Sequence, residues 1–152
     1  RERAAAYRAA VEGEGIVLHG EWSEHWGHAA VDLLWTAEGA RPDAIFCGND
    51  QIGRGVVDAL RERGVGVPED VAVVGLDNWD IVASQTRPPM TSVDMNLKAI
   101  GREAGRLVLE LAEGREVEPG IRKLACRLVI RQSCGGNAAV THRRGGVEAT
   151  VD

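Results

Sequence analysis

The sequence predicts an α/β domain built on a parallel sheet. Three observations carry this. Short apolar runs alternate with helical patterns between Ile16 and Leu76, the strand–helix rhythm of parallel sheets. One run, "VAVVGL" at 71–76, is apolar without alternation, as in strands covered on both faces. The links are short, so successive strands are joined by right-handed crossovers.

The elements follow in order. Residues 2–12 carry Ala4, Tyr7 and Val11 on one helical face, and Gly13 and Gly15 break the pattern. "IVLH" at 16–19 reads as a strand. Ser23 suits an N-cap, with Glu24 in the first turn. Trp26, Ala29, Ala30, Leu33, Leu34 and Ala37 repeat at helical spacing, and Gly39 ends the run. Pro42 and Asp43 make a turn before a strand at Ala44–Cys47. Ile52, Val56, Val57 and Leu60 share the next helical face. Gly64 fits C′, and Pro68 bars continuation. After the strand Val71–Leu76, residues 78–93 hold two prolines and read as a long connection leaving the sheet. Leu97, Ile100, Ala104, Leu107, Val108 and Leu111 form an amphipathic helix closed by Gly114. "LACRLVIR" at 124–131 reads as a last strand. Residues 136–152 have little to bury and read as a disordered tail. Two features look incomplete. The 97–111 helix has no evident partner for its apolar face, and no strand precedes the first helix.

Bulk properties narrow the function. The chain has 152 residues, 44% of them hydrophobic, enough for one packed domain. A net charge of −5 argues against a broad grip on nucleic acid. No apolar run approaches the ~18–20 residues of a membrane span. The opening segment reads as a helix and not as a signal peptide. The chain opens on Arg1 and not on Met, so a piece of a longer protein is expected. Cys47, Cys126 and Cys134 are odd in number and follow neither a C-x-x-C nor a zinc spacing, which reads as a reducing compartment. Cys47, inside an apolar run, reads as a small hydrophobe.

Ligands of open α/β sheets bind outside the carboxyl ends of the strands. Trp22 follows the first run, Asn49 and Asp50 the second, and Asp77, Asn78 and Trp79 the third. Carboxylates and carboxamides can engage neighbouring hydroxyls, and an indole face packs on the apolar face of a pyranose. The mixture suits a sugar. The plainer readings stand beside it. Asn49 or Asp50 could each be the N-cap of the helix that follows. Trp22 could be a hydrophobic staple. An enzyme is the weaker reading: Asp50, Asp77 and Asp80 have no base or nucleophile positioned by a motif, and "CGNDQIGRG" is neither G-x-G-x-x-G nor a P-loop. His25 and His28 lie at i, i+3 and read as an exposed polar face, not a zinc site. The "HRR" at 142–144 reads as solvated surface.

The ordered motifs are more specific. "RPDAIFCGNDQIGRGVVDALRERGVGVPEDVAVVGLDN", then "RPPMTSV" at 87–93 and "RLVIRQSCG" near the end, resemble the LacI/GalR family of bacterial transcription regulators. "RERAAAYRAAV" resembles that family's R-x-x-G-[FW] helix. The resemblance covers about residues 3 to 135. It implies a type I periplasmic-binding-protein-like fold with two subdomains and an effector in the cleft between them. This chain matches the C-terminal portion: 1–80 and 121–134 as the C-terminal subdomain, and 90–116 as the crossover with a helix that packs on the N-terminal subdomain. Most of that N-terminal subdomain and the helix-turn-helix domain are not in this chain. Carried over by position, Arg3 reaches into the cleft, Trp22 stacks on the effector ring, and Asn49 and Asp77 supply the amide and the carboxylate. Asp50 ranks as N-cap first and ligand second. Leu76 replaces the usual aromatic before Asp77, and Ala6 the usual Gly after Arg3. No enzyme activity, cofactor, metal or membrane association is expected. The resemblance implies a cytoplasmic homodimer, pairing through the helix near Gln51 and the Ile81–Pro89 segment, and DNA contact only through the helix-turn-helix. Trp22 beside Asn49 and Asp77 leads to the expectation of a sugar or sugar-like effector, although purine effectors occur on the same fold. The alternative is the sugar-binding protein of an ABC transporter.

Overall fold

The structure, a computed structural model, describes residues 2–11, 15–36 and 41–136. The expected tail and the "HRR" cluster lie outside the described residues, apart from Gly136. Chain order is α1 (Glu2–Ala10), α2 (Glu24–Thr36), β1 (Ala44–Phe46), α3 (Asp50–Glu62), β2 (Ala72–Leu76), α4 (Asp80–Ala83), β3 (Thr91–Asp94), α5 (Leu97–Ala112) and β4 (Arg127–Val129). The sheet order is β1-β2-β3-β4. β1 and β3 both run parallel to β2, and β4 runs antiparallel to β3.

Most of the expected elements stand where the periodicity puts them. Ser23 caps α2: its Oγ accepts from Trp26 N at 3.1 Å. Gly64 and Gly114 follow the C-caps of α3 and α5 with φ of 69° and 73°. The core lies between α3 and the sheet. Val56, Val57, Ala59 and Leu60 of α3 pack with Val73 of β2, Val31 of α2, Cys47, Val71, Ala83 and Met90, all buried. The apolar face of α3 therefore meets the sheet, and the removal of that surface from water is its main stabilisation.

The α2–α3 crossing is set by two glycines. A Cβ on Gly55 would lie 2.0 Å from the Glu24 carbonyl oxygen, and one on Gly27 would lie 2.4 Å from that of Ile52. No side chain fits there, so the two backbones touch. An Arg54–Glu24 ion pair flanks the seam, and His28 Nδ1 lies beside the Glu62 carboxylate, each at 3.8 Å. His28 is thus spent on a helix–helix contact. Among the described residues no three His, Cys, Asp or Glu side chains group as a metal site.

Three expectations are corrected. "IVLH" at 16–19 forms no strand and belongs to no sheet. A four-residue apolar run does not distinguish a ladder strand from packed coil. Here the run packs with Tyr7, Trp26 and Phe46 around a cavity beside β1. Residues 78–93 are not merely a connection leaving the sheet. They contain α4, and their last three residues with Asp94 return as β3 (Thr91–Asp94) in register with β2, Thr91 opposite Val74. The polar "TSVD" hides this strand, because Thr91 and Ser92 are fully buried but hydrogen-bonded by side chains. The last strand is also shorter than 124–131: only Arg127–Val129 pairs, with Leu128 opposite Val93.

Helix α5 buries no residue. Leu97, Ile100, Val108, Leu109 and Leu111 are all exposed. An apolar face of this length in water is unfavourable and marks a surface for a partner.

Candidate functional site

The site is built where β1 and β2 end. Gly48–Asp50 follows β1, Asp77–Trp79 follows β2, and α1 brings Arg3 against them. Arg3 Nη1 donates to the Gly48 carbonyl at 2.7 Å. The same guanidinium sits 5.5 Å from the Trp22 ring centroid, within cation–π range. Its Nη2 lies 4.0 Å from Met95 Sδ. Trp22 is 61% exposed, so its indole surface is open to a ligand.

Asp77 joins this group electrostatically. Burial, then the negative charge of Asp50, pushes its carboxyl above the usual range, and the Arg3 cation opposes that rise. Its backbone is unusual: φ is 113° at Asp77 and 52° at Asn78, a region L-residues rarely occupy.

Asn49 takes the cap expected of Asp50, and Asp50 takes neither expected role. Asn49 is the N-cap of α3: its φ of −153° is extended, and its Oδ1 accepts from Ile52 N at 2.8 Å. Asp50 caps nothing. It is the first residue of α3, only 1% exposed, and its side chain turns inward. Oδ1 accepts from Ser92 Oγ at 2.6 Å and Oδ2 from Trp79 N at 2.7 Å. Burial pushes its carboxyl up, while these two bonds and the charge of Arg131 oppose the rise. Asp50 is too deeply buried to meet a ligand. Cys47, just before, is buried too: its thiol is pushed up to about 12, mainly by burial and further by Asp50.

The structure therefore sets Arg3 against Gly48 and Trp22, leaves Asp77 at the end of β2 where the Arg3 charge acts on it, makes Asn49 a cap, and withdraws Asp50 into the core. Spacing missed the supporting residues. Ser92 Oγ accepts from Asn78 N at 3.0 Å, and Arg131 donates to Asn78 Oδ1 and the Met90 carbonyl, both at 2.8 Å. Met95 went unnoticed as well. One signal was available. Gly75 lies inside an otherwise apolar strand, which marks a close approach, and a Cβ there would sit 2.3 Å from Asp50 Oδ1.

A cavity of about 520 Å³ opens beside this site, with Arg3, Trp22 and Gly48 among its lining residues. It runs between α1, residues 15–20, α2 and β1, and most of its wall is apolar: Tyr7, Val17, Leu18, Trp26 and Phe46. Asn49, Asp50 and Asp77 do not line it. It is the space beside the unpaired edge of β1, not a polar pocket.

Residues 1–134 match the family model described as a periplasmic binding protein-like domain. The regulator CelR of Thermobifida fusca is 37% identical over 139 residues, 87% of this chain and 40% of that protein. The repressor PurR of Vibrio campbellii is 31% identical over 88% of this chain and 41% of its own length. The solved CelR–cellobiose complex is 38% identical, with a TM-score of 0.71 over 86% of this chain and 40% of that one. A LacI-type regulator from Bifidobacterium animalis is 33% identical, with a TM-score of 0.69 over 76% of this chain and 40% of its own. The chain belongs to the periplasmic binding protein-like family, among the LacI-type regulators. As a LacI-type chain it spans about 40% of the length of the curated relatives it matches.

Proposed function

We propose that this LacI-type chain is the C-terminal portion of an effector-binding domain, and that it takes a sugar or sugar-like effector to control operator binding by a longer regulator. The observation that carries this reading is Arg3 set against Gly48 and Trp22 at the carboxyl end of β1, with Asp77 at the end of β2, where α/β sheets bind ligands. Trp22 supplies a flat face for a sugar ring. Arg3 and Asp77 supply charged hydrogen-bonding groups for hydroxyls. Asn49 adds its Nδ2, since its Oδ1 is held by the cap. The CelR structure carries cellobiose, which makes a glucose disaccharide the first probe.

Effector binding would favour one arrangement of two subdomains, and a dimer would carry that change to the DNA-binding heads. Ile81, 63% exposed on α4, and the neighbouring Trp79 offer an apolar surface for pairing. The face of α5 is covered by the N-terminal subdomain. The protein acts in the cytoplasm as a regulator and not as an enzyme. The transporter alternative is the weaker one, since the relatives are named as transcriptional regulators.

Calorimetric titration of the full-length protein with cellobiose, other glucosides and purines tests the reading. Binding of a sugar that Trp22→Ala weakens at least about tenfold supports it, that being the stacking and area contribution expected of one indole. Purine binding without sugar binding, or sugar affinity unchanged in Trp22→Ala, would refute it.

A further inference from the structure

The geometry points to a positioning role for Asp50: its buried carboxylate holds the Asp77–Trp79 turn, whose positive φ at Asp77 and Asn78 presents Asp77 at the sheet edge. The role in effector binding rests on the function proposed above; the role in the turn does not.

Two consecutive non-glycine residues at φ of 113° and 52° are costly and persist only where surroundings over-determine them. The surroundings here are specific. Three successive amides leave β2, and each has an acceptor. Asp77 N donates to the Val93 carbonyl at 2.9 Å. Asn78 N donates to Ser92 Oγ at 3.0 Å, and Trp79 N to Asp50 Oδ2 at 2.7 Å. Ser92 in turn donates to Asp50 Oδ1 at 2.6 Å. Two of the three amides thus end on one carboxylate, directly or through one hydroxyl. Arg131 secures the outer side of the turn through Asn78 Oδ1.

Other roles for Asp50 are closed. Asn49 already caps α3, and burial keeps Asp50 from the ligand. Burying a carboxylate is expensive. Its place is explained by what it ties together: the start of α3, the exit of β2 and the middle of β3. Gly75 provides the room for it. The charge also reaches Asp77, whose carboxyl it helps to push up.

Hydrogen–deuterium exchange resolved by NMR on the ligand-free full-length protein reads the turn directly. Asp50→Ala should speed exchange at the Asn78 and Trp79 amides about tenfold or more, the effect of one lost charge-assisted bond, while Val73 and Val74 stay protected. Asp50→Asn, whose amide oxygen can still accept from Trp79, should restore most of that protection. If Asp50→Ala does not fold, Ser92→Ala takes its place and should speed exchange at Asn78. Wild-type protection in the alanine variant overturns the proposal. A second arm titrates cellobiose calorimetrically. Asp50→Ala should weaken binding, and adding Asp77→Ala should weaken it little further, because the turn is already lost. Full additivity of the two substitutions also overturns the proposal. A wild-type protein that ignores cellobiose counts against the sugar reading, and the exchange arm then decides the positioning role.

Discussion

Adding one methyl group at Gly55 tests the packing that supports the site. A Cβ there would stand 2.0 Å from the Glu24 carbonyl oxygen, where ordinary contact begins at 3.4 Å. All three nearest atoms are Glu24 backbone, so no rotamer change relieves the overlap. The helices must part by about 1.4 Å at that point, an overpacking that costs about 1–3 kcal/mol, and at its upper end when only backbone can give way. Against this, alanine gains about 1 kcal/mol over glycine in a helix interior. The net expectation for Gly55→Ala is a loss of about 1–2 kcal/mol, or roughly 3–8 °C in Tm for a chain of this size. Gly101→Ala in α5 is the internal control. Nothing lies within 4 Å of its Cβ position, so only the propensity gain of about 0.5–1 kcal/mol applies and Tm should rise. Thermal unfolding of this chain, followed by circular dichroism, separates the two. A Gly55→Ala variant as stable as the wild type would refute the close α2–α3 contact.

Asn49→Ala removes the α3 cap and should cost about 1 kcal/mol, while Asn49→Ser, which can still cap, should cost little in the same melting experiment. Asp77 has a raised folded pKa, so its charge is lost on acidification at a higher pH than that of an ordinary aspartate near ~3.9, and effector affinity should fall with it. Arg3→Met removes the opposing cation and should move the Asp77 carboxyl titration, followed by NMR, further up; an unmoved titration would contradict the site geometry. Asp94 is the opposite case. Its folded pKa is depressed by bonds from Asn96 N and Arg127. Its contribution is therefore complete above the ordinary aspartate value and lost as pH falls through the depressed one. Amide exchange at Leu128 and Val129 should quicken in that acid window, and Asp94→Asn should abolish the pH dependence. In thiol labelling at neutral pH, exposed Cys126 should react first and Cys47, pushed up to about 12, last; early labelling of Cys47 would contradict its burial.

The sequence by itself determined the elements that repeat over a long span. The faces of α2, α3 and α5 were legible because a helical period sums over three or four turns, and β2 because a short valine-rich run between breakers is too short for a helix. The resemblance named the family and offered Arg3, Trp22, Asn49 and Asp77 as site residues, with Asp50 as a cap first. Tertiary structure decided what depends on partners far along the chain. "TSVD" became β3 because Ser133 and Asp50, each about 42 residues away, satisfy the hydroxyls and amides that a polar strand would otherwise bury unpaired. "IVLH" failed to become a strand although its residues suit one, because strand identity needs a ladder partner and local sequence does not supply it. Asn49 and Asp50 show the limit most sharply. Either can cap a helix, and both suit a binding site. Asn49 caps because its backbone stays extended outside α3. Asp50 turns inward because Ser92, Trp79 N and the gap at Gly75 meet it there. Spacing along one segment cannot see an acceptor's donors 29 and 42 residues further on, and only the folded chain brings them to it.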